Sequence, residues 1–165
     1  INSFMPPAEG RAQLMRALEL LGTLSPSGAS AIDRALEQYA AAASGPGLAV
    51  VLSDFFEAGA VRGLQHLLHR GLRPVVLQIV APEELEPALP PDVELIDIEQ
   101  PDGERLVVDA GAIRAYQAVL AQHEASLREF CAAHRCPFAR LASNLPFHHA
   151  IGALENVGVI STGDV

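Results

Sequence analysis

The sequence predicts an α/β fold, a doubly wound and mostly parallel sheet flanked by helices. Residues 48–52 are a continuous apolar run and residues 74–80 a second, largely apolar one, both rich in β-branched side chains, the pattern of strands buried on both faces. The stretch between them carries Val61, Leu64 and Leu68 at helical spacing. Strand, helix and strand in that order form a crossover unit, which makes the two strands parallel. Half of the 165 residues are hydrophobic, so a buried core is feasible. Only 5% are aromatic and there is no Trp, so that core must be built from Leu, Val, Ile and Ala.

The elements follow in chain order. Residues 1–7 read as a strand remnant ending at Pro6 and Pro7. Over residues 10–21, Leu14, Ala17, Leu18 and Leu21 form one helical stripe. Residues 23–28 are a loop of Ser, Gly and Pro. Ser30 with Asp33 three residues on resembles a capping box opening a second helix. Ile32, Leu36, Tyr39 and Ala43 line one face of it, and residues 44–47 stop it. After the strand at 48–52, a helix over 58–70 stops at Gly71.

Residues 93–99 and 105–109 flank Asp102-Gly103, a hairpin signal. The longest helix is expected over 112–134. Ile113, Tyr116, Leu120, His123, Leu127, Phe130 and His134 form one unbroken stripe along it, facing a sheet. Residues 138–142 make a short strand. Asn144 can cap a last helix with Pro146 in its first turn and Phe147, Ile151 and Leu154 facing inward. Residues 161–165 read as a frayed tail.

Charge and composition narrow the function. The net charge is −9, and all eleven basic residues are Arg. No basic cluster tracks a phosphate backbone, so nucleic acid is not expected as a partner. Cys131 and Cys136 are too few for a disulfide framework and read as a reduced cytosolic pair. No apolar run is long enough to span a bilayer. No Gly-x-Ser-x-Gly elbow or phosphate-cradling glycine loop is present.

The most informative point is Ser53-Asp54 at the end of the strand at 48–52. In open α/β sheets ligands bind beyond the carboxyl ends of the strands. Two readings fit Asp54: it faces solvent or a metal, or it caps the next helix and bonds nearby amides. The Ser27–Ser30 loop likewise has two readings, a hydroxyl reaching the same rim or plain capping by Ser30. Serine and carboxylate oxygens are hard ligands suited to Mg²⁺ rather than zinc. The Cys131, His134, Cys136 cluster lacks the spacing of a zinc finger and reads as core. His66 and His69 read as a solvated helix face, and His148-His149 as one surface and one half-buried residue.

These features together resemble a von Willebrand A domain, in the version found in the bacterial domain-of-unknown-function family 58. The likeness rests on Pro6-Pro7 before an amphipathic helix and on Leu52-Ser53-Asp54-Phe55. It rests also on the hairpin residues 93–97 with 102–106, the Tyr116, His123 and Leu127 spacing, and residues 141–145. On this likeness residues 1–160 are the C-terminal part of one such domain, expected to lack its first strands.

The resemblance implies a protein-binding module, not an enzyme, with a metal-ion-dependent adhesion site. Asp54 matches the later Asp of that site, and Ser30 approximately matches its Thr. The Asp-x-Ser-x-Ser stretch is absent from the chain and is expected upstream of Ile1. Mg²⁺ is therefore expected in the longer protein and not in this chain alone. The resemblance also implies a MoxR-type AAA ATPase as partner, assembly or chaperone-like work at the cytoplasmic face, and membrane contact only through segments outside this chain. With its first strands missing, the strand at 48–52 is expected to keep an unpaired edge and exposed apolar faces, which favour self-association. Two further readings stay open: a hydrolase or phosphotransfer enzyme using Asp54, and a degenerate scaffold without metal.

Overall fold

A computed structural model describes residues 5, 10–25, 31–87, 93–95 and 106–158. The chain divides into two compact units, Ile1–Ser30 and Ala31–Val165. The first carries α1 (Arg11–Thr23), with no buried residue. Its stripe residues Leu14, Leu18 and Leu21 are exposed. The strand expected over residues 1–7 falls almost wholly outside the described residues.

The second unit contains α2 (Ile32–Ala42), β1 (Gly47–Ser53), α3 (Ala60–His69), β2 (Leu72–Val80) and the short α4 (Pro82–Leu85). The hairpin strands β3 (Val93–Leu95) and β4 (Leu106–Val108) follow, then α5 (Ala110–Ala133), β5 (Phe138–Ala142) and α6 (Phe147–Asn156). The main sheet has the order β1-β2-β5. Both pairings are parallel, with Val50 opposite Val75 and Leu77 opposite Ala139. The expected crossover unit is present, and helices cover both faces, which makes the fold α/β. β3 and β4 pair antiparallel with Val93 opposite Val108. Their expected Asp102-Gly103 turn lies outside the described residues.

Strand pleating sorts side chains to two faces. On one, Ala49, Val51, Leu72 and Val76 meet Leu64 and Leu67 of α3 and Leu127 and Phe130 of α5, with Ile32 and Leu36 of α2 behind them. Burying each leucine of this layer contributes roughly 1.5–3 kcal/mol. On the other face, Val75, Leu77 and Ala139 are covered by Ala153, Leu154 and Val157 of α6. Glycines let α2 and α3 approach closely. A Cβ at Gly63 would stand 3.1 Å from the Asp33 Cα, and one at Gly59 would stand 2.8 Å from the Asp33 Cβ. Gly71, with φ +76°, ends α3 in the left-handed conformation that only glycine adopts freely.

Several expectations need correction. β1 is not buried on both faces: Leu48, Val50 and Leu52 are 57%, 47% and 64% exposed. Among the described residues β1 pairs only with β2, and the covering residues of α6 pack against β2 and β5. Asp33 pairs with Arg62 of α3, and Ser30, its expected partner in a capping box, lies outside the described residues. Pro146, not Asn144, precedes α6, and no side chain caps it. Phe147 is 79% exposed because α6 turns Ala153, Leu154 and Val157 to the sheet. The α5 stripe packs in its C-terminal half, where Leu127 and Phe130 are buried, while Tyr116 and His134 are exposed.

Candidate functional site

The site is the turn that leaves β1. Because β1 runs parallel to β2 and β5, its carboxyl end opens on the rim where such folds bind ligands. Asp54 stands at that end with its side chain exposed. Its Oδ1 accepts the Phe56 N–H at 3.2 Å, an Asx-type turn, and the Ser53 hydroxyl at 3.4 Å. The Ser53 Oγ in turn accepts the Phe55 N–H at 3.1 Å. The carboxylate therefore both bonds its neighbouring amide and faces solvent.

Phe55 is fully buried and lies at φ +60°, left-handed backbone that a bulky residue seldom adopts. Two distant side chains hold the carbonyls on either side of it. The Gln78 Nε2 donates to the Asp54 carbonyl at 3.0 Å. The His123 Nε2 of α5 bonds the Phe55 carbonyl, and since a carbonyl only accepts, that ring nitrogen carries the proton. The Phe56 and His123 rings meet edge to face, with centroids 6.2 Å apart.

Beyond the turn, the Glu57 carboxylate accepts the Ile32 N–H through both oxygens, at 3.1 and 3.2 Å. An acid at a helix N-terminus satisfies an orphan donor and complements the helix dipole. This bond brings the start of α2 to the β1 rim. Ser30, the second predicted ligand, lies outside the described residues. Next to this contact, the Arg62 guanidinium and then the Arg34 N–H hold the Asp33 carboxyl below its ordinary range.

Other candidate groups do not gather at the rim. Cys131 and Cys136 are free and buried, and burial, followed by the neighbouring Cys136, pushes the Cys131 thiol up to about 12. His148 and His149 are both exposed, with rings 4.3 Å apart, so neither is half-buried as expected. Glu124 of α5 pairs with Arg128 and Arg140 beside a groove of about 380 Å³ lined also by Leu85 and Leu120. That groove does not include Asp54.

A Mg²⁺ ion needs about six oxygen donors. Asp54 offers a donor of the right chemistry, but among the described residues no group of three His, Cys, Asp or Glu could hold a metal ion. Glu57, Gln78 and His123 escaped the sequence reading as parts of this site. The available signals were a lone polar residue inside the apolar run at 74–80 and a histidine inside an apolar helical stripe.

Fold and rim together define an α/β protein with an acidic turn presented at the carboxyl end of a parallel strand. Residues 1–126 match the family model described as "Protein of unknown function DUF58", and the chain belongs to that family. No curated protein and no solved structure gives a significant match.

Proposed function

We propose that this chain belongs to a protein-binding module whose contact point is the β1 rim, centred on Asp54. The observation that carries the reading is an exposed carboxylate on a tightly held turn at the open end of a parallel strand. The resemblance to von Willebrand A domains supports a finer version. In it Asp54 and Ser30 contribute oxygens to a metal-ion-dependent adhesion site whose other donors lie outside the described residues. When bound, Mg²⁺ would supply a positive centre that takes a carboxylate from a partner protein. A MoxR-type AAA ATPase is the partner class this reading favours, in assembly or chaperone-like work at the cytoplasmic face of a membrane.

The test is Mg²⁺ titration by calorimetry of the longer protein, with the remaining donors present, and of its Asp54→Ala variant. Loss of a metal ligand lowers affinity by about tenfold or more. Equal affinity in the two proteins removes Asp54 from any such site. Pull-down of a purified MoxR-type ATPase that survives EDTA favours a scaffold without metal. Turnover of phosphate esters that disappears in Asp54→Asn replaces the reading with the enzymatic one.

A second contact is favoured by one observation, the exposed Leu48, Val50 and Leu52 along β1. Such a strand is a template for pairing with another copy. Light scattering at micromolar concentration checks it, and a monodisperse monomer removes it.

A further inference from the structure

Gln78 is 1% exposed, and its Oε1 has no hydrogen-bond partner among the described residues. Its Nε2 holds the Asp54 carbonyl. Turning the amide over would set two oxygens against each other, so this orientation keeps one bond and strands the other atom. A single neutral hydrogen bond contributes less than a buried unpartnered carbonyl costs. A hydrocarbon here, like Val76 and Val80 on the same face, would remove the stranded oxygen but leave the Asp54 carbonyl without its donor. The glutamine is therefore explained by its one bond, to the turn that presents Asp54.

His123 makes the matching contact on the next peptide, from α5. With these two and the Ser53 Oγ and Asp54 Oδ1 acceptors, four consecutive backbone groups are tied down: Asp54 C=O, Phe55 N–H, Phe55 C=O and Phe56 N–H. Left-handed backbone at a bulky residue persists only where its surroundings over-determine it, and such strain concentrates at ligand clamps. We propose that Gln78 and His123 are positioning residues that fix the 54–56 turn, holding Phe55 left-handed so that the Asp54 carboxylate projects from the rim toward its ligand. The role of the carboxylate in this inference rests on the function proposed above; the clamp itself rests on the geometry.

Amide hydrogen exchange by NMR reads the clamp directly. In Gln78→Met and His123→Leu, exchange at the Phe55 and Phe56 amides rises about tenfold or more through local opening, while the β2 amides of Val76 and Leu77 keep their protection. His123→Gln, which retains an N–H donor, recovers part of the loss and serves where His123→Leu folds poorly. Unchanged exchange at Phe55 and Phe56 in both Gln78→Met and His123→Gln overturns the clamp, as does loss spread evenly over β2. Titration of the longer protein and its variants with Mg²⁺ then separates the two claims. Weak binding by Asp54→Ala and by Gln78→Met supports both. Weak binding by Asp54→Ala alone overturns positioning by Gln78. Wild-type binding by Asp54→Ala overturns the metal reading and leaves the exchange result to decide the clamp.

Discussion

Replacing Gly63 with alanine sets helix propensity against packing at the α2–α3 contact. An alanine Cβ there would stand 2.9 Å from the Leu36 Cδ1, 3.1 Å from the Asp33 Cα and 3.3 Å from the Leu36 Cβ. The Leu36 methyl can swing aside, but the Asp33 Cα is backbone and moves only with α2. Alanine is favoured over glycine in a helix interior by about 1 kcal/mol. Overpacking a close contact costs about 1–3 kcal/mol. The steric effect prevails, giving a net loss of roughly 0–2 kcal/mol. Gly152, inside α6, is the control, because nothing lies within 4 Å of its ideal Cβ. There propensity acts alone, and Gly152→Ala gains roughly 0.5–1 kcal/mol. Urea denaturation followed by circular dichroism should place the Gly63→Ala midpoint below that of the parent and the Gly152→Ala midpoint above it. Equal midpoints for the two variants would refute the close approach of α2 to α3.

Further outcomes follow from single contacts. Glu57→Ala strips the N-terminal partner from α2 and should cost about 1 kcal/mol in urea denaturation, with Glu57→Gln recovering most of it; an unchanged Glu57→Ala midpoint removes the cap. Asp33 titrates below its ordinary 3.8 chiefly because of Arg62, so its contribution is complete above 3.8 and is lost as pH falls below it. Asp33→Asn should therefore flatten the acid limb of the stability–pH profile, and an identical limb in both proteins counts against the pair. Cys131, buried and pushed up to about 12, stays a thiol in the folded protein and should resist iodoacetamide at about pH 8 until urea unfolds the chain. Fast labelling of native Cys131 would contradict that burial.

Local pattern made most of the fold legible. Helical spacing located α1, α2, α3 and α5, apolar runs located β1 and β2, and the strand-helix-strand order fixed their parallel pairing. What pattern could not report is which neighbour covers each face. The run Leu48 to Leu52 is as apolar as that of β2, yet three of its five side chains are exposed, because burial depends on what packs against a strand. The start of α2 shows the same limit. Ser30, the expected cap, lies outside the described residues, but Glu57, 25 residues from Ile32, accepts the Ile32 N–H, and Arg62 pairs with Asp33. A cap read from adjacent residues cannot anticipate an acid delivered from another loop.

The rim divides along the same line. Asp54 was readable because strand ends in parallel sheets obey a topological rule that needs only the strand and its direction. The groups that hold its turn lie 24 and 68 residues away from the atoms they bind, on β2 and α5. Neither follows the pattern of its own element, since glutamine interrupts an apolar strand and histidine interrupts an apolar stripe. Each is locally inconsistent with the burial that surrounds it, and that inconsistency is the sequence's own mark of a site. A core selected for packing alone has no use for a stranded amide oxygen, so such breaks in an otherwise consistent pattern point to residues that position something. Here both breaks converge on two adjacent peptides beside the same exposed carboxylate.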